Sequence, residues 1–353
     1  MSILFAILIF SLLVFVHELG HFVCAKLSGI QVNEFSLFLG PAIWKKQVGE
    51  TLYAIRCIPF GGYCAMEGED ADVDNPRAFH RAAWWKRLIV LVAGAAMNFI
   101  MGVAMFALVF APVQAFVAPV VGSIDEGCLV AGENGIQVGD RIVELDGEKI
   151  YVYSNFSTIL SLNEGDVHDL VLDRNGQTVV LDDFLMEKAE FPNEDGTTSL
   201  RYGFNFSVVE ATFSEKLSYT WASVLDTIRN VRLSLQMLFT GKAAISDLSG
   251  PVGIVSQMSE VAQASPTWVD AAVNLIYFGG FIAINLAVMN LLPIPALDGG
   301  RVVGLLLTTA AEAIIRRKID PKYEGYLHTA GMVLLLGLMA VIMFKDIFVI
   351  FKG

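Results

Sequence analysis

Three ionisable residues, His17, Glu18 and His21, interrupt an N-terminal run that is otherwise apolar from residue 3 to residue 16 except for Ser11. An ionisable side chain within a membrane span is costly and marks function by default. The spacing H-E-x-x-H is that of a zinc site. Residues i and i+4 of a helix share one face, so both imidazoles can reach a single ion. Glu18 then stands where it can take a proton from an activated water. The bland alternative is two histidines hydrogen-bonding between helices beside a protonated glutamate, and such a cluster rarely falls into this spacing by accident.

A zinc site with two imidazoles wants a third protein ligand and one open position. Asp298, in MNLLPIPALDGGR, is the only acid between Asp270 and Glu312. It follows Pro293 and Pro295 and precedes Gly299 and Gly300. Prolines end a helix, and glycines admit unusual turns. Irregular backbone at membrane depth is tolerated only where it is buried in protein or lines a cavity. Asp298 is therefore the predicted third ligand, against the alternative of a solvated loop acid.

The elements that must carry these residues are membrane spans. Of the 353 residues, 55% are hydrophobic and 17% charged, and the mean hydropathy is +0.58. That composition marks a polytopic membrane protein. Spans are expected at about residues 3–27, 88–111, 271–292 and 325–344. The N-terminus lacks the basic start and the small-residue cleavage site of a signal peptide, so its apolar run reads as a retained span. Lys26, Lys45, Lys46, Arg56, Arg77, Arg81, Lys86 and Arg87 fall between the first two spans. Arg301, Arg316, Arg317, Lys318 and Lys322 fall between the last two. Positive loops face the cytoplasm, which puts both termini outside and brings Asp298 to the same side as His17 and His21.

The net charge of −12 is concentrated. Residues 112–274 hold 23 acidic and nine basic side chains, a net of −14, against +2 for the remainder. An acidic, outward-facing module of this kind would repel a phosphate backbone, so nucleic acid is excluded as a partner. Cys128 alone lies in the module and has no partner for a disulfide there. Cys57 and Cys64 read as buried reduced thiols rather than a zinc pair.

HELGH near the N-terminus and NLLPIPALDGG near the C-terminus, in that order, resemble the site-2 protease family of intramembrane zinc metalloproteases. The resemblance extends to IPFGGY at residues 58–63, to the inserted module and to GPVGI at residues 250–254. It is strongest to bacterial members that carry an outward PDZ module and cut anti-sigma factors. It implies Zn2+ held by His17, His21 and Asp298, with Glu18 as the catalytic acid and base. It also implies substrate contacts from Asn285 and Asn290, which as asparagines in a span could equally be glue between helices. Further implications are residence in the bacterial cytoplasmic membrane, with the active site toward the cytoplasm, and single-span membrane proteins or signal-peptide remnants as substrates after a first cut elsewhere. Some relatives carry two PDZ modules in tandem, whereas this chain has room for one.

The expected organisation is an N-terminal membrane part over residues 1–111, a PDZ-like module over 112–210, an amphipathic linker over 211–270 and a C-terminal membrane part over 271–353. The fold class is therefore a polytopic α-helical membrane protein of about four spans, with an inserted β-rich PDZ domain and a membrane-associated β-hairpin. That hairpin is expected from short strands at residues 34–39 and 51–57, whose free edge could hold an unwound substrate as an added strand. Gly94, Asn98 and Gly102 recur every fourth residue on the second span, a face suited to close helix approach, and Asn98 is placed to join the metal-site shell. The module has turn and strand signals around Asp146-Gly147, a short helix near residues 155–162 and strands flanking Arg174-Asn175-Gly176. A PDZ domain binds peptide as a strand, but CLVAGEN is an unusual stretch for carboxylate capture. His80, His168 and His328 read as structural. Two rival classes are a non-catalytic membrane adaptor using the PDZ module, disfavoured by the intact Glu18, and a metal transporter, which would need further intramembrane acids or histidines.

Overall fold

In the computed structural model, the described residues are 2–69, 71–163, 165–192, 197–242, 250–317, 320 and 322–352. The chain forms two compact units, residues 1–106 with 227–353 and residues 107–226.

Among the described residues four helices are long and apolar enough to cross a bilayer, at Ile7–Leu27, Trp84–Phe110, Trp268–Asn290 and Gly325–Asp346. The protein is accordingly a multi-pass membrane protein. These spans belong to α1 (Ser2–Leu27), α2 (Trp84–Phe110), the helix Trp268–Asn290 and the helix Lys322–Lys352. Glycine permits the tight contact of α1 with α2. A Cβ on Gly20 would stand 2.4 Å from the Ala93 carbonyl oxygen. One on Gly102 would meet Ile284 at 2.7 Å, so α2 also needs glycine where it meets the third span.

Between α1 and α2 lie β1 (Val32–Val48) and β2 (Thr51–Met66), of 17 and 16 residues, each more than twice the expected length. Both strands bend. Phe38 and Gly40 have φ of 71° and 85°, and Gly61 has 74°. Each therefore contributes two arms. Residues 34–37 have residues 52–55 on one side and 62–65 on the other, while residues 44–48 close the hairpin against 51–55. Residues 62–66 form an outer edge, and Leu52 and Ile55 are interior. Arg56 ties the arms together by donating to Ser36 Oγ, Gly40 O, Glu34 Oε1 and Tyr63 OH. Lys26 at the end of α1 and Arg77 both pair with Glu50 in the hairpin turn. These two cations hold the Glu50 carboxyl down at about 2.

The second unit holds β3 (Ala115–Ile124), β4 (Arg141–Leu145), β5 (Glu148–Lys149), α3 (Ser154–Leu162), β6 (Val167–Arg174), β7 (Gln177–Leu185), β8 (Ala189–Pro192), β9 (Thr198–Arg201) and β10 (Phe204–Glu210). The main sheet runs β10-β3-β4-β6-β7, with β5 beside β4. Its core is aliphatic around Val121, Ile136, Ile142, Leu145, Leu170 and Leu172. His168 is buried and bonded to Asp146 at 2.8 Å. Cys128 is a free thiol whose Sγ reaches the Tyr202 carbonyl.

After the module come α4 (Phe213–Phe239), α5 (Pro251–Ala264), α6 (Trp268–Asn290), α7 (Asp298–Ile315) and α8 (Lys322–Lys352). Helix α5 packs with α1 and α6 through Ile9, Leu13, Met258, Leu275 and Ile282. Its first turn is capped from a distant place in the chain. Asp346 of α8 accepts from the backbone N–H groups of Gly250 and Gly253, each at 2.9 Å. A Cβ on Gly250 would lie 2.8 Å from that carboxylate, which explains the first glycine of GPVGI.

Candidate metal centre

Helix α1 sets His17 and His21 one turn apart, with their Nε2 atoms 3.2 Å from each other. The Oδ2 of Asp298, 277 residues beyond His21, lies 3.3 Å from each of them. Among the described residues no other group of three or more His, Cys, Asp or Glu side chains converges in this way. The triangle fits zinc. Ligand bonds of about 2.0–2.1 Å in a tetrahedron put ligand atoms about 3.3 Å apart, and a site with three protein ligands leaves the fourth corner open. Asp298 Oδ2 is buried with no hydrogen-bond partner, as a ligand oxygen awaiting a cation would be. Burial opposes its ionisation, but the imidazoles of His17 and His21 hold its carboxyl well below the usual carboxylate range.

The outer contacts turn both imidazoles the right way. His21 Nδ1 lies 2.8 Å from the Val90 carbonyl of α2, so it carries the proton and leaves the Nε2 lone pair for the ion. His17 Nδ1 faces the amides of Asn98 at 3.4 Å and Asn290 at 3.5 Å. With Nε2 on a metal, Nδ1 is a donor and needs an amide oxygen. Asn98 Oδ1 is buried and unpartnered, and turning that amide over satisfies both groups at once. Gly94, one turn before Asn98, makes the approach of α2 possible. A Cβ there would fall 2.3 Å from His21 Nε2 and 2.7 Å from His17 Cε1.

Asp298 is delivered by a break between two helices. Helix α6 stops at Asn290, Pro293 and Pro295 prevent its continuation, and Ala296 takes a φ of 83°. Helix α7 then begins at Asp298, whose carboxylate sits in its first turn, where the helix dipole favours an anion. The glycines differ from expectation. The left-handed position is Ala296, whereas Gly299 and Gly300 are helical and serve close packing. A Cβ on either would lie 2.3 Å from backbone atoms of residues 291–294. Helix α7 itself was not anticipated, although its apolar residues recur with helical period.

These groups line a cavity of about 490 Å3 that also takes in Glu18, the edge strand at residues 62–66, Asn290, Arg301 and His328. Glu18 thus shares the chamber with the three ligand atoms, and its carboxylate interacts with the backbone N–H of Cys64. Cys64 also lines the chamber, and burial pushes its thiol up, so it stays protonated. Asn285, five residues before Asn290 on α6, does not line this cavity. Asn274 bonds to Ser265 at the opposite end of α6. His328 is part of the chamber wall, where its Nδ1 accepts from Arg301 Nε. Sequence reading had set it aside because its partners lie on other helices.

Residues 5–338 match the family described as Peptidase family M50. A candidate zinc metalloprotease of Clostridium acetobutylicum is 35% identical over 349 residues, covering 98% of this chain and 97% of its own. The Zinc metalloprotease RasP of Oceanobacillus iheyensis is 29% identical, and the Regulator of sigma-W protease RasP of Bacillus subtilis 27%. Each of these two matches covers 97% of both chains.

Proposed function

This chain belongs to peptidase family M50 and is a zinc metalloprotease, and from that premise we propose that it cuts single-span membrane proteins, anti-sigma factors or signal-peptide remnants, within or beside the membrane as a step of regulated intramembrane proteolysis. The observation that carries the reading is the convergence of two imidazoles and a carboxylate, at 3.2–3.3 Å, in one chamber with Glu18. Lipid surrounds the spans. The distribution of Lys and Arg supports a topology with both termini and the acidic module outside the cytoplasm and with His17, His21 and Asp298 toward the cytoplasmic side.

Zinc held by His17, His21 and Asp298 supplies a Lewis acid for the scissile carbonyl and for an attacking water. The chain's own groups do the rest. Glu18 accepts the proton of that water and returns it to the leaving amine. Asn98 and the Val90 carbonyl hold the imidazoles in register. The amide of Asn290, at the rim of the same chamber, supports either His17 or the oxyanion. Asn285 acts further along the substrate, beyond the chamber.

A peptide bond within a helix has its backbone groups already paired, so the substrate must be held extended. Residues 62–66 are suited to this, being the outer edge of the hairpin sheet and part of the chamber wall. A strand added there would lie beside Glu18. In the acidic module, α3 packs Phe156 against Phe204 and Phe206 of the edge strand β10. An edge strand beside a helix is the PDZ mode of peptide capture, and β10 is the strand we assign to it.

The test is Glu18→Gln in purified full-length protein. We expect one zinc per chain to be retained and cleavage of a model transmembrane peptide to fall at least ~100-fold, as general acid–base catalysis contributes on that scale. Equal cleavage by the variant would remove Glu18 from its role.

A further inference from the structure

A second cavity, of about 140 Å3, adjoins the catalytic chamber. The two share Glu69, Leu91, Arg301 and His328. Beyond that shared wall the second cavity is framed by Phe79, Val303, Leu307 and Leu327, with one charged side chain, Arg87, whose guanidinium lies over the Phe79 ring at 5.2 Å. Its existence follows from the helix break that delivers Asp298. Pro293 and Pro295 line it, and Gly331 lets α8 close over it, since a Cβ on Gly331 would lie 2.4 Å from Pro295 Cβ. The polar groups at the boundary are mutually engaged. Arg301 donates to Glu69 Oε1 at 2.5 Å and to His328 Nδ1 at 3.3 Å.

We propose that this cavity is a specificity subsite, which receives an apolar side chain of the substrate residue next to the scissile bond. This rests on the protease reading above. Three features point to that occupant. The cavity shares Glu69, Leu91, Arg301 and His328 with the chamber that holds Glu18, His17, His21 and Asp298, so a peptide lying there has a side chain beside it. Its wall is mostly aliphatic and aromatic, with Arg87 held over Phe79 and Arg301 held by Glu69. A cavity of this volume, lined by aliphatic and aromatic groups, accepts a benzene-sized guest, which matches the side chain of Leu, Met or Phe.

Gly304 gives a clean way to fill the cavity. It lies on its wall in the middle of α7, and a Cβ added there meets no atom within 4 Å. The experiment uses full-length protein in detergent and model transmembrane peptides carrying Ala, Leu or Phe at each of the two positions flanking the cut. The readout is the ratio of kcat/KM for Leu over Ala, with zinc per chain as the folding control. At one of the two positions we expect Gly304→Leu to lower this ratio at least ~10-fold, since a methylene or more of pocket depth is worth that much. Leu307→Ala enlarges the same cavity and shifts the preference at that position toward Phe. If neither variant moves the ratio at either position while the unmutated protein cleaves, the cavity is only a lipid-facing recess and the subsite is wrong, while the protease reading stands. If the unmutated protein cleaves no peptide, the protease reading fails and takes the subsite with it.

Discussion

Gly94 offers the sharpest test of the metal centre, because it touches the ligands without being one. In Gly94→Ala the new Cβ would stand 2.3 Å from His21 Nε2 and 2.7 Å from both His17 Cε1 and His21 Cε1. Ordinary contact begins near 3.4 Å, so something must yield by about 1 Å. His21 is poorly placed to do so, being buried and tethered through Nδ1 to Val90 on the same helix that carries the new methyl. A metal site tolerates displacements of about 0.2 Å in its ligand distances. The substitution therefore detaches at least one imidazole, and we expect zinc affinity to fall about 100-fold or more, or about 2.8 kcal/mol. Competition against a chromogenic chelator measures this directly in the detergent-solubilised protein. Gly102→Ala, two turns along the same helix, is the control. Its Cβ meets the side chain of Ile284 at 2.7 Å, an overpacking defect worth about 1–3 kcal/mol of stability with no reason to release zinc. Wild-type zinc affinity in Gly94→Ala would refute the placement of α2 against the ligand pair.

Asp346→Ala removes the only acceptor shown for the first-turn N–H groups of Gly250 and Gly253, and should cost about 1–2 kcal/mol by the usual value of a lost cap. Hydrogen exchange should rise at residues 251–264, and Asp346→Asn, which keeps one acceptor oxygen, should recover part of the protection. In the acidic module, burial works against ionisation of Asp146, but the backbone N–H of Asp169 with His168 and Asn163 holds its carboxyl below the usual range. A depressed carboxyl contributes stability above its unfolded value and loses it as pH falls through the folded one. The module should thus loosen in acid below about pH 4, and Asp146→Asn should flatten that dependence in pH-resolved hydrogen exchange.

The hairpin itself was visible as a pattern, but its architecture was not. Period-two stretches located strand segments at residues 34–39 and 51–57, yet bends at Phe38, Gly40 and Gly61 split each strand into two arms. Pairing between arms separated in the chain then decides which edge is free. Residues 62–66 lie on one edge, whereas residues 52–55, part of the expected second strand, are interior. Arg56 counted as a cytoplasmic charge on composition, whereas it ties four groups of the sheet together. Helix α7 lay hidden because the two prolines before Asp298 signal a break and not the helix that follows it.

The linear chain by itself determined the candidate chemistry: two histidines at the spacing of a zinc site on one helix turn, a glutamate beside them, a lone acid in a Pro- and Gly-framed break, and apolar runs long enough to span lipid. Such features are local, set by residue type and by the period of a helix, so they survive without coordinates. Tertiary structure alone decided which side chains meet. Asp298 reaching the imidazoles, Asn98 turned toward His17, Gly94 kept bare beneath His21, Asp346 capping a helix some ninety residues earlier, and an apolar recess opening from the catalytic chamber all depend on packing between segments far apart in the chain. No local periodicity records those contacts, because the free energy that forms them comes from surfaces that exist only once the helices have closed on one another.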